Sequence, residues 1–153
     1  MSTMPVLTFA PLDVDAHRDF LLAAHHETST LTFGTPFTAE QIAQQMERQR
    51  LFGTGAFLDD TIVGLCDMEI RGDDTPYGWV RFLFLAPHFR GQGLGVQLIT
   101  HAEQVCRQNN LGKLFLRVGA VNQNAYDFYL HNGFVPAPQF DRPGEYGLCK
   151  EVL

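Results

Sequence analysis

Cysteine is scarce in this chain: Cys66, Cys106 and Cys149 form an odd, widely spaced set with no C-x-x-C pair and no histidine at metal-ligand spacing. That pattern excludes a disulfide framework and a zinc-type site, and it reads as buried free thiols in a reducing compartment. Positive charge is also sparse. Eleven Lys and Arg against seventeen Asp and Glu leave a net charge of −6 without any Lys/Arg-rich cluster, so the basic face that a nucleic-acid binder needs is missing. An acidic balance instead mildly favours cationic substrates by steering. No apolar run approaches the ~20 residues of a membrane span, and residues 1–12 carry no basic region ahead of an apolar run, so neither a membrane segment nor a secretory leader is expected. Repeats and low-complexity tracts are absent too. The expectation is a cytoplasmic protein that binds no nucleic acid, membrane or metal.

The 153 residues, 45% apolar and 18% charged, suit one globular domain over residues 1–153 with a core that needs no staples. Residues 6–9 read as a first strand. Asp13 or Asp15 can cap a helix through Phe20, Leu21, Leu22 and Ala24, followed by a loop with Gly34 and Pro36. Thr38-Ala39-Glu40-Gln41 has capping-box spacing and predicts a second helix to about Arg50. Two strands, 55–58 and 61–70, are joined at Asp59-Asp60, a tight hairpin turn. After the turn at 72–76, the aromatic and branched residues 77–85 suit a strand buried on both faces. Helical spacing returns at Val96, Ile99, Ala102, Val105 and Cys106, with 109–112 as its stop. Residues 113–118 are strand again, Asn122 can cap a helix to about His131, and strands from Phe134 onward and at 146–152 finish the pattern βααβββαβαββ.

Between the apolar strand and the helix at Val96 lies Arg90-Gly91-Gln92-Gly93-Leu94-Gly95. A strand, a glycine loop and a helix start in that order make an anion site. The first helical N–H groups lack intrahelical partners, the helix dipole adds partial positive charge there, and glycines let a phosphate come close. Spacing separates the candidates. A P-loop needs Gly-Lys followed by Ser or Thr, where this chain has Gly95-Val96-Gln97. The dinucleotide fingerprint needs G-x-G-x-x-G and an acidic residue roughly 20 positions later, whereas these glycines run G-x-G-x-G and residues 113–118 hold no carboxylate.

The remaining pattern, R-x-x-G-x-G over residues 90–95, resembles the pyrophosphate loop of the GCN5-related N-acetyltransferase (GNAT) family. A second segment agrees: Asn122-Gln123-Asn124-Ala125-Tyr126-Asp127-Phe128-Tyr129, followed by Gly133-Phe134, resembles that family's N-x-x-A-x-x-[hydrophobic]-Y…G-F signature. The resemblance implies an α/β (α+β) fold, a mixed twisted central sheet of six to seven strands flanked by about four helices. It also implies an N-acetyltransferase using acetyl-CoA. In such folds the fourth and fifth strands splay, so the backbone of Leu83, Phe84 and Leu85 would pair with pantetheine. The N–H groups of Arg90, Gly91, Gln92, Gly93, Leu94, Gly95 and Val96 would hold the pyrophosphate, with Arg90 adding a charged contact. Asn122 would contact the cofactor or cap its helix.

Tyr129 matches the family tyrosine that protonates the departing thiolate; a phenol stays protonated at neutral pH. The base is less clear in the pattern. Many members carry a glutamate early in the fourth strand where this chain has Arg81, and residues 77–85 hold no carboxylate. Asp67 and Glu69, on one face of the preceding strand by period-two alternation, are the nearest candidates to act through water or to bind a cationic acceptor; salt-bridging to Arg81 is the other reading. The implied reaction is direct attack by a neutral amine in a ternary complex, with no covalent acyl-enzyme. In this family the acceptor, expected here to be a small amine, usually binds over the first two helices and their loop, here 31–37, and near 71–76 and 140–145. Family habit implies a homodimer. A non-catalytic acyl-CoA sensor is the alternative from another class.

Overall fold

The computed structural model describes residues 4–153; residues 1–3, part of the segment read for a leader, lie outside the described residues. Strands β1 (Thr8–Pro11), β2 (Thr54–Leu58), β3 (Thr61–Arg71), β4 (Tyr77–Leu85), β5 (Lys113–Gly119), β6 (Val135–Pro136) and β7 (Glu145–Glu151) form one sheet in the order β1-β2-β3-β4-β5-β7-β6. Every neighbouring pair is antiparallel except β4 and β5. Helices α1 (Arg18–Phe33), α2 (Ala39–Phe52), α3 (Leu94–Gln108) and α4 (Gln123–His131) cover the sheet. The element order is the one the sequence predicts, and the fold is the α/β arrangement expected.

Alternation along β3 and β4 divides the core. Leu65 and Phe84 face α1 and α2, packing with Leu21, Ala24, Ile42 and Met46. Cys66 and Val80 face α3 and α4, packing with Leu94, Leu98, Leu114 and Tyr129. Neighbouring side chains on a strand point to opposite faces, so one strand feeds both layers. A smaller cluster, Trp79, Phe115 and Ala137 with Tyr77 and Phe140 against it, lies where β4, β5 and β7 meet.

Several boundaries differ from expectation. The first helix starts at Arg18, after a turn in which the Asp13 carboxylate accepts the Ala16 N–H, and His17 precedes it without a side-chain cap. Asp15 pairs with Arg50 on α2 instead of capping. That helix runs to Phe33, where Gly34 at φ 78° ends it, so Leu31 to Phe33 are helical and not loop. The first strand is displaced to Thr8–Pro11 by pairing with β2, and the strand after Phe134 is only two residues long. Cys66 and Cys106 are buried free thiols, as read; Cys149 is half-buried.

Two features of the sheet set up the site. Pairing between β4 and β5 is confined to Gly78 with Leu114 and Trp79 with Phe115, and beyond those rows the strands run on without partnering each other. A bulge lies opposite the Asp67–Met68 step, where Phe82 pairs with Asp67 and Val80 with Met68, leaving Arg81 as the extra residue. Such an insertion turns two consecutive side chains toward one face. Arg81 accordingly reaches Glu69 and Phe52, on the side of the sheet where Phe82 packs.

Candidate active site

The glycine loop forms as the sequence predicts, with the helix starting two residues earlier, at Leu94. Gly91 and Gly93 have φ of 77° and 81°, a region costly for residues with a Cβ, and Gly93 stands at the N-cap of α3. Among the described residues no side chain caps α3 there, in contrast to α2 and α4, which Thr38 and Asn122 cap. The first-turn N–H groups of α3 are therefore offered to an external acceptor. Gly95 answers to packing: a Cβ there would stand 3.0 Å from the Phe128 ring of α4. Leu94 is buried in the core, whereas Gln92 and Val96 are exposed. Arg90 folds back, its Nε donating to the Leu85 carbonyl at 2.8 Å and its Nη1 pairing with Glu27 at 2.8 Å.

Along β4, the Ala86 N–H donates to Val63 O on β3 at 2.8 Å. Backbone groups alternate sides along an antiparallel strand, so Leu83 and Leu85 point theirs into the gap toward β5 while Phe84 bonds toward β3. Tyr129 lies on the α3/α4 face, buried among Phe128 and Phe134. Burial, helped by nearby Cys66, raises its phenol pKa well above the ordinary value. Cys66 is the cross-strand partner of Leu83, which sets Tyr129 beside the middle of β4. Asn122 caps α4 through Oδ1, which accepts the Ala125 N–H at 3.3 Å.

The two carboxylates nominated as bases have different surroundings. Glu69 is bound by Arg71 and, at 3.3 Å, by Arg81. Asp67 is fully buried, accepting from Gln49 Nε2 at 2.9 Å and from the Thr54 N–H at 3.1 Å. Gln49 in turn meets His25 Nε2 at 2.8 Å, so a buried chain of polar groups runs from α1 through α2 to β3. Desolvation pushes the Asp67 carboxyl up to about 6, against the opposing pull of its hydrogen bonds and Arg81. Burial also lowers the pKa of His25. These groups, with Phe52, Arg81 and Phe82, line a cavity of about 10 Å³, room for about one water. His25 and Gln49 carried no sequence motif; they meet Asp67 only because three elements converge.

The profile of the acetyltransferase (GNAT) family matches residues 18–134, a span that contains the loop, the gap and Tyr129. The chain belongs to the GNAT family. GNAT enzymes are acetyltransferases that use acetyl-CoA, and the glycine loop, the start of α3 and the inner edge of β4 that β5 leaves unpaired fit that cosubstrate. Solved GNAT-like structures share the fold. An acetyltransferase from Thermus thermophilus superposes with a TM-score of 0.79 at 16% identity, covering 99% of this chain and 100% of its own. A GNAT-family acetyltransferase from Staphylococcus aureus gives 0.78 at 14%, over 97% and 100%. The PaiA N-acetyltransferase from Thermoplasma acidophilum, solved in complex with coenzyme A, gives 0.71 at 19%, over 99% of each chain.

Proposed function

We propose that this GNAT enzyme transfers acetyl to a primary amine of a small acceptor by direct attack in a ternary complex. The observation that carries the reading is the gap between β4 and β5, closed at one end by two rows of pairing and facing the glycine loop at the other. Acetyl-CoA supplies the acetyl group as a thioester. The N–H groups of residues 91–96 hold the pyrophosphate, that of Arg90 being taken by the Pro87 carbonyl, and the Arg90 side chain adds charge to that contact on leaving Glu27. The backbone groups of Leu83 and the Leu85 N–H face the pantetheine amides and the carbonyl oxygen as it gains charge, the Leu85 carbonyl being held by Arg90, with Phe84 keeping β4 paired to β3.

Asp67 and Tyr129 stand on opposite faces of the sheet, which supports amine approach on the α1/α2 side and sulfur departure on the α3/α4 side. Asp67 removes the ammonium proton through water, and Tyr129, held protonated by burial, donates to the thiolate. Glu69, committed to two guanidiniums, orients Arg81 and Arg71.

Calorimetric titration with acetyl-CoA, with NAD and ATP as controls, followed by an amine panel read by free-thiol release, tests this reading. Saturable binding of acetyl-CoA alone and amine-stimulated thiol release are expected. Tyr129→Phe should lower kcat by roughly 10²-fold or more, the usual scale of proton transfer. Undiminished turnover on a good acceptor removes Tyr129 from that role. Thiol release that no amine stimulates overturns the transfer itself.

A further inference from the structure

An acidic chain has little reason to gather its arginines, yet four of them converge on one side of this gap. Arg71 lies over the Trp79 indole at 4.3 Å and Arg117 over the same indole at 4.9 Å. Burial first, then Arg142 and Arg71, lower the pKa of Arg117, while Glu145 opposes them. Arg81 completes the group across Glu69. Glu69 is shared between Arg71 and Arg81, Glu145 pairs with Arg142 at 2.6 Å, and Asp67 is buried beyond Arg81 with its oxygens turned to Gln49 and Thr54. Asp141, in the same loop as Arg142, accepts the Gly147 N–H.

Arg117 is the cation left over. Its Nε donates to the Phe140 carbonyl at 2.7 Å, while no carboxylate among the described residues stands within 4.0 Å of its guanidinium. A guanidinium presents five donors in a planar fork that matches a carboxylate bidentately, and one Nε contact leaves most of the fork free. Its place is also telling. Arg117 follows Phe115, the last β5 residue paired with β4, by two positions, so it shares that residue's face and stands at the opening of the gap. Each guanidinium is attracted to the indole face, and since Glu69 and Glu145 answer Arg71 and Arg142, the edge left open to an anion is that of Arg117.

We infer that the acceptor amine carries a carboxylate, and that Arg117, seated on Trp79 and backed by Arg142 and Arg71, receives it. This rests on the amine-acetylation reading above. It also departs from the preference for cationic substrates expected from net charge, because the acceptor meets the free edge of Arg117 and not the overall balance.

The test compares the common α-amino acids with their α-carboxamide twins by free-thiol release; because the amides are also the weaker bases, each kcat/KM is referred to the fraction of free amine at the assay pH. In parallel, calorimetry measures binding of the corresponding N-acetylated acids and amides to the CoA-loaded enzyme. The acids should be preferred in kcat/KM and in affinity by roughly 10- to 100-fold, the worth of a charge-assisted contact. Arg117→Gln should shrink the acid-to-amide ratio toward one, Arg117→Lys should restore part of it, and the exposed Arg142→Gln should lower it without touching the Trp79 stack. A purely structural role for Arg117 changes stability or both twins together and leaves the ratio where it was; that result overturns the inference. Amides or simple alkylamines used as well as the acids overturn it while leaving amine acetylation intact. Absence of any amine acetylation, with acids and amides bound alike, overturns both.

Discussion

Asp67 is a carboxyl held away from bulk water by three polar neighbours, and its environment dictates how both stability and rate should respond to pH. Its folded pKa of about 6 exceeds the ordinary 3.8, so the native state binds this proton more tightly than the unfolded chain. The corresponding stabilisation is complete below about pH 4 and is lost as pH rises through about 6; ionised Asp67 then costs on the order of 3 kcal/mol. His25 has the opposite sign, its lowered pKa removing stability as pH falls below 6.5. Asp67→Asn should therefore raise Tm at pH 7 and leave it little changed near pH 4, as thermal melts across that range would register. The same variant should lose kcat and the rise of kcat/KM with pH through about 6. A wild-type profile without that rise sinks Asp67 as the base. The sequence pointed to Asp67 by proximity to a strand lacking carboxylates, but Gln49 and His25 were illegible, because their partnership joins residues far apart in the chain. Arg117 was illegible for the same reason: its neighbours come from two other segments, Trp79 from β4 and Phe140 and Arg142 from the stretch before β7.

At the level of elements, capping chemistry was readable where side chains do the capping. Thr38 and Gln41 form the reciprocal box, with bonds of 2.8 and 3.2 Å, and Thr38→Ala should cost about 1 kcal/mol in a denaturant melt without altering acetyl-CoA affinity. The start of α1 was misread because Asp13 and Asp15 fit a cap by composition, while an extra turn and the Arg50 ion pair claim them. The bulge at Arg81 left no mark in the sequence either, since alternation there looks unbroken until two strands are laid side by side. Gly93 tests the loop as an element. Its φ of 81° means that Gly93→Val costs about 1–2 kcal/mol in backbone strain, and a Cβ there would stand 2.9 Å from the Met4 side chain, so the loop must shift. Calorimetry on the folded variant should show acetyl-CoA affinity lowered by tenfold or more; unchanged affinity refutes the placement.

The whole molecule is a sheet clad on both faces, and the division of its core follows from simple alternation along β3 and β4. Order and type of elements were legible for that reason: each amphipathic stretch had one way to bury its apolar side. Charge distribution was not, since a net charge of −6 says nothing about where arginines gather. Acetyl-CoA bound only by the folded state should stabilise it by about 2.7 kcal/mol at a hundredfold excess over Kd, a rise in Tm of roughly 5–11 °C for a chain of this size. Scanning fluorimetry with and without the cosubstrate measures it, and a flat melting temperature at saturation denies the linkage.

The two-row contact between β4 and β5 means that the sheet has inner margins as well as outer ones. Unsatisfied strand margins ordinarily invite other chains to add on, and proteins guard them with charge, proline or brevity. Here the inner pair look at each other across a slot, where no second sheet can dock and only a slender extended molecule fits. Amide protons of Leu83 and Leu85 should thus exchange quickly with solvent deuterium in the free protein and slowly once the slot is filled. The defect in the weave is safe because it is turned inward.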